Sequence, residues 1–220
     1  MSDLIIEVDE AMKQERLEKL WKEYGGLFIS FIAMVILATA ANAGYSTWVK
    51  HRDFRQTTLY IDALTQDNPS ADDLIALLPK MTAGMKSVVS MSAAGLALES
   101  GDEDKALSIY QSIETDSSQL EKNPMLGALA KYMVTGLDKT ISTEDKIKRY
   151  EALASDNDNP WRYNALLDAA LLEASQNKNF AKARAYLSKI VATNSTAPQG
   201  MKQKAGSLEI LYQAQQSDNK

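Results

Sequence analysis

Among these 220 residues histidine occurs once, as His51, and cysteine does not occur. A thiolate nucleophile, a disulfide and a cysteine-held metal are therefore excluded. His51 lies between Lys50 and Arg52, directly after a long uncharged run, which suits a polar anchor at a membrane edge better than a general base. A zinc ion would have to be held by carboxylates around a single imidazole, a poor donor set for that metal. The densest acidic group, Glu99, Asp102, Glu103 and Asp104, spans the end of one helical pattern and the start of the next, where acids stabilise the helix dipole. Gly84-Met85-Lys86-Ser87 ends like a phosphate-binding loop but lacks the upstream glycine and the strand before it. These residues give no constellation for catalysis. The expectation is a protein that is not an enzyme, with no catalytic residue, no cofactor and no metal.

The elements around these residues are more informative. Net charge is -5, and neither end is basic: residues 1–24 carry four Lys/Arg against seven Asp/Glu, and the chain after Arg52 carries 18 against 22. Nucleic acid is not an expected partner, because phosphate binding needs clustered positive charge. From Gly25 to Val49 there is no charged residue, a run of 25. About 20 helical residues cross a hydrocarbon core of roughly 30 Å, so residues 25–49 are long enough to span a membrane. Trp21 and Tyr24 stand at one end and Tyr45 and Trp48 at the other, at headgroup level, where amphipathic rings are favoured.

A second reading competes for the same stretch. Its most apolar part, Leu27 to Ala38, is 12 residues long, and Ala41-Asn42-Ala43 before Gly44 has the small-x-small form of a signal-peptide cleavage site. The segment in front argues for an uncleaved anchor. Residues 1–24 are long, acidic and patterned, with Leu17, Leu20, Trp21 and Tyr24 on one helical face. Orientation is left open by charge: four Lys/Arg precede the run within about 15 residues and three follow it.

After residue 52 the apolar spacing is helical and no segment alternates with period two, so an all-α fold of about eight or nine helices is expected. The first of these continues the span from Lys50 to about Gln66. Asn123-Pro124 and Asn159-Pro160 each read as an N-cap followed by proline at the first helical position, and Ser70 with Asp73 as a capping box. Gly101-Asp102 and Gln176–Asn179 read as turns between antiparallel helices. The spacing of Ala106, Tyr110 and Ile113 recurs in Ala183, Leu187 and Ile190, with Lys146, Tyr150 and Leu153 as a degenerate copy between them. Intervals of 40 and 37 residues lie near the 34-residue period of tetratricopeptide repeats.

Ala94, Gly101, Ala106, Tyr110 and Ile113 resemble the order and spacing of that repeat. Ala174, Phe180, Ala183, Leu187 and Ile190 match it in part, with Lys178 where glycine is usual. The N-terminus resembles a family as well. Glu7-Val8-Asp9-Glu10, Leu17, Lys19-Leu20-Trp21 and Tyr24-Gly25, followed at once by one span, are similar to bacterial membrane-anchored tetratricopeptide-like proteins, the family of the ancillary subunit of the SecYEG translocon. The resemblance implies an inner-membrane, single-pass protein with residues 1–24 cytoplasmic, residues 25–49 transmembrane and residues 50–220 a periplasmic TPR-like helical-repeat (α-solenoid) domain. It also implies contact with the translocon, with a periplasmic chaperone or peptidyl-prolyl isomerase, and with exported polypeptides.

First helices of successive repeats line a groove that holds peptides. Carrying the usual groove positions over selects Met91 and Leu98, Lys131 and Thr135, and Asp168 and Leu172. A final helix from about Ala197 to Gln215 is expected to cap the stack. The leading functional expectation is a membrane-tethered protein-binding module at the Sec translocon. The alternative is a cell-envelope scaffold or self-associating adaptor for assembly or division, released if Ala43-Gly44 is cleaved, and homo-oligomeric in that role.

Overall fold

The computed structural model describes residues 2–218, with the backbone alone for residues 2–18, 20, 25, 28 and 218. The chain divides into two compact units, Met1–Thr57 and Thr58–Lys220.

Helix α1 (Ser2–Leu64) accounts for the first unit. The 36 residues from Ile29 to Leu64 include an 18-residue window apolar enough to cross a bilayer, and none of that window is buried. Leu27 and Phe31 are 71% and 64% exposed, so this stretch covers no protein core. Three of its hydroxyls are internally satisfied: Ser30, Thr39 and Thr47 donate to the carbonyls of Gly26, Val35 and Ala43, each at 2.8 Å. That arrangement removes polar hydrogens from a surface that must be apolar in lipid. Ala41-Asn42-Ala43 lies inside α1. The Glu7–Glu10 element and the side chains of Leu17 and Leu20 lie outside the described residues.

The second unit is built from short helices. They are α2 (Ala71–Leu77), a 3-10 turn at Leu78–Lys80, α3 (Ala83–Glu99), α4 (Glu103–Thr115) and α5 (Ser117–Lys122). Then come α6 (Pro124–Leu137), α7 (Thr143–Ser155), α8 (Arg162–Ser175), α9 (Phe180–Val191) and α10 (Gln199–Asp218). Among the described residues there is no strand, and the all-α expectation holds. Successive helices pack in chain order, α2 on α3, α3 on α4, α4 on α6, α7 on α8, α8 on α9 and α9 on α10.

Three N-caps recur in phase. The side chains of Asp102, Ser142 and Asn179 accept the backbone N–H three residues on, from Lys105 (3.0 Å), Asp145 (3.1 Å) and Lys182 (3.1 Å). Counting four, eight and eleven residues from each cap gives Ala106, Tyr110 and Ile113, then Lys146, Tyr150 and Leu153, then Ala183, Leu187 and Ile190. In the first and third sets all three are buried. Directly before the outer two caps stand Gly101 (φ 81°) and Lys178 (φ 54°), both left-handed. Lysine bears there a conformation that glycine adopts freely.

Two expectations shift. Asn159-Pro160 does not start a helix: the Asn159 Oδ1 accepts the Trp161 N–H (2.9 Å), its Nδ2 donates to the Leu153 carbonyl (3.0 Å), and α8 begins at Arg162. A side chain that reaches back to the preceding helix closes a turn and delays the next nucleus. Asn123-Pro124 does open α6, although Asn123 caps nothing with its side chain; its Nδ2 donates instead to the Gly84 carbonyl (2.9 Å) at the start of α3. Ser70 and Asp73 form the expected reciprocal pair, 3.2 and 2.6 Å. Helix α10 buries Ala205 and Tyr212 but leaves Ile210 and Leu211 exposed, so its outer side is not wholly polar.

The core has two clusters. One gathers Leu74, Val89, Ala93, Ala94, Ile113 and their neighbours, from the end of α1 to α6. The other gathers Tyr150, Leu166, Tyr186, Leu187, Ile190 and their neighbours, from α7 to α10. Small residues at the crossings allow this density. Ala93, Ala94, Ala106, Ala130, Ala165, Ala169, Ala170 and Ala183 have no exposed surface, and small side chains at a crossing permit close approach of the helices.

Candidate functional site

The four aromatic residues expected at a membrane interface are all exposed. Tyr45 and Trp48, one helical turn apart, have ring centroids 6.2 Å apart. The Arg52 guanidinium sits 5.2 Å above the Trp48 ring and pairs with Asp53 at 3.0 Å. Aromatic rings at the end of the uncharged run are thus followed directly by Lys50, His51 and Arg52, the arrangement favoured where hydrocarbon gives way to headgroups.

The six expected groove residues fall into different surroundings. Met91 and Leu98 are half-buried on α3 and pack against the first cluster. Leu172, on α8, packs against the second. Asp168, also on α8, accepts a hydrogen bond from the Tyr132 hydroxyl of α6. Tyr132 in turn stacks on Trp161 (centroids 6.1 Å, planes 17° apart) and meets Tyr150 at 5.7 Å. Burial pushes the Asp168 carboxyl above the usual range, while the Tyr132 hydroxyl and the charge of Lys204 act the other way. Burial, then the facing Asp168, raises the Tyr132 and Tyr150 phenols. This group is a joint between α6 and α8, and it bridges the two clusters.

Lys131 and Thr135 line a cavity of about 530 Å³ between α6 and α7. Thr135 is buried and donates to the Lys131 carbonyl at 2.8 Å, whereas Lys131 is exposed. Pro124, Gly127 and Ala128 continue the α6 wall, and Arg149, Ala152, Leu153 and Asp156 form the α7 wall. Glu114 of α4 and Leu120 of α5 close one side. Gly127 lies close to α5, and a Cβ at that position would displace the end of the Leu120 side chain.

The α6–α7 pair differs from the other two at one phase. Ala106 and Ala183 sit fully buried, and the same phase in α7 is Lys146. Its Nζ donates to the Gly136 carbonyl of α6 at 3.1 Å. Helices α6 and α7 touch far less than α3 with α4 or α8 with α9. The cavity lies between these two loosely packed helices, along Pro124 to Thr135 of α6.

A second polar recess lies between α7 and α9. Glu173 is 2% exposed, accepts from Asn177 at 2.9 Å and pairs with Lys182 at 2.6 Å; Glu144, Lys148 and Glu151 line the same recess. Its charges are already matched within the chain: Lys148 pairs with Glu144, and Glu151 accepts from the Tyr186 hydroxyl. Among the described residues no group of three or more His, Asp or Glu side chains is arranged to hold a metal ion. No known protein family, no curated protein and no solved structure matches the chain.

Proposed function

We propose that this protein is a single-span inner-membrane protein whose C-terminal helical unit binds polypeptides as a non-enzymatic accessory of the Sec translocon. In this reading residues 1–24 are cytoplasmic and the helical unit is a periplasmic TPR-like repeat domain that links the translocon to a chaperone or prolyl isomerase. The observation that carries it is the apolar stretch of α1, whose side chains are exposed along its length and need lipid to cover them. The in-phase caps at Asp102, Ser142 and Asn179, with the buried positions that follow them, support a repeat. The assignment to the translocon rests on the N-terminal sequence resemblance. Tethering raises the effective concentration of such a domain for chains emerging beside it.

Cross-linking in native membranes, followed by identification of the joined proteins, tests the assignment. A translocon subunit should be recovered with the full chain. Recovery of none of them from membranes that contain the cross-linked protein would reject it.

A further inference from the structure

The cavity between α6 and α7 has a charge pattern that its neighbours lack. Four charged side chains stand around it, Glu114, Lys131, Arg149 and Asp156, and none makes an ion pair among the described residues. They are sorted by sign along its length. The connection from Leu137 to Thr143 is short, so α6 and α7 run antiparallel, and the α6 start faces the α7 end. Asp156 therefore lies level with Pro124–Ala128, and Arg149 with Lys131. Glu114, at the end of α4 and separated from α6 only by α5, belongs to the Pro124 end. One end is doubly acidic and the other doubly basic. Arg149 and Asp156 are seven residues apart along α7, about 10 Å at 1.5 Å per residue. The lining between is small and apolar, with Leu120, Gly127, Ala128, Ala152 and Leu153.

We infer that this groove binds an extended polypeptide segment carrying a cationic side chain and, about three residues along the chain, a carboxylate, with small apolar side chains between. A separation of about 10 Å corresponds to about three residues of extended backbone. A lipid or a purely anionic ligand would place like charge at the Glu114–Asp156 end. A wholly apolar segment would leave both charged ends unused. The inference deepens the protein-binding reading above and rests on it, adding where a polypeptide is held and what it must carry.

The test uses the full chain in lipid nanodiscs with labelled alanine and leucine methyl groups. The probe is the peptide acetyl-AKAVEA-amide, with acetyl-AQAVQA-amide as its neutral counterpart. The charged peptide should shift the Ala128, Ala152, Leu120 and Leu153 methyls saturably and bind about tenfold more tightly than the neutral one, as expected for two partly exposed charge contacts. The exposed double substitution Lys131→Glu with Arg149→Glu should abolish that preference. It should also make acetyl-AKAVKA-amide bind this variant more tightly than the original chain, a gain that loss of folding cannot mimic. Equal shifts with the charged and neutral peptides would overturn the inference. So would groove shifts that follow protein concentration without peptide, because the occupant would then be a second copy of the chain. If cross-linking recovers the translocon but the peptide leaves the groove methyls unmoved, the groove assignment alone fails. If the peptide binds as described and no translocon subunit is recovered, the translocon reading alone fails.

Discussion

Replacing Tyr132 by phenylalanine deletes one hydroxyl from the joint between α6 and α8 and keeps the ring that stacks on Trp161 and meets Tyr150. Asp168 then loses its donor while remaining half-buried. A hydrogen bond to a charged group contributes about 1.5–3 kcal/mol when fully buried, and the partial exposure of Asp168 lowers this to about 1–2 kcal/mol. The cost must depend on pH. Burial raises the Asp168 carboxyl above its unfolded value, so the folded state binds more protons than the unfolded one. The contribution of this group to stability therefore falls as pH rises from about 4 through the folded-state pKa. The Tyr132 hydroxyl opposes that shift, so deleting it raises the folded-state value further and deepens the loss at neutral pH. In acid, as the folded carboxyl becomes protonated in both the original chain and the variant, only a neutral hydrogen bond is missing and the cost drops to about 0.5 kcal/mol. Urea unfolding of the full chain in non-ionic detergent, followed by far-UV circular dichroism at pH 4 and pH 7.5, reads this difference. A deficit that is equal at the two pH values, or larger in acid, would refute the reasoning, because the hydroxyl would then be stabilising something other than a carboxylate.

Three further outcomes follow from named contacts. Leu187→Ala empties a fully buried position in the second cluster and should cost about 2–5 kcal/mol in the same unfolding experiment. Lys178→Gly relieves a left-handed backbone at φ 54° and should stabilise the helical unit by up to about 1 kcal/mol, seen as a rise in Tm, whereas Gly101→Ala at φ 81° should lower it by about 1–2 kcal/mol. N-terminal sequencing of the protein from membranes should return the original start; a start at Gly44 would show that Ala41-Asn42-Ala43 is cut.

Several elements could be read directly from residue types. The uncharged run from Gly25 to Val49 appears as part of one exposed apolar helix, and Ser70 with Asp73 forms the capping pair its spacing suggests. The buried sets around Tyr110 and Leu187 follow from a helical period that places every third or fourth residue inward. Helix starts were less legible where a side chain had two possible partners. Asn159 has the composition of a cap, yet its amide bonds back to Leu153, and only the preceding helix end fixes that choice. The candidate groove was legible at Lys131 and Thr135. Arg149 and Asp156 come from α7 and its end, and Glu114 from α4, and their convergence depends on helix order. Thr135 was selected by register as a groove position; it reaches the cavity wall but is buried and bonded to its own helix.

Two apolar clusters within one helical unit also govern how that unit comes apart. Helix α6 gives Ala130 and Val134 to the first cluster and sends Tyr132 toward the second. Separation along α6 and α7 therefore exposes little core and breaks few contacts beyond the Tyr132 joint. Amide exchange should then sort into two cooperative blocks, α2–α4 and α7–α10, each with its own opening free energy. The connection at 138–142 becomes the natural place for a protease to cut or for a permuted chain to begin, since each resulting half retains a core of its own.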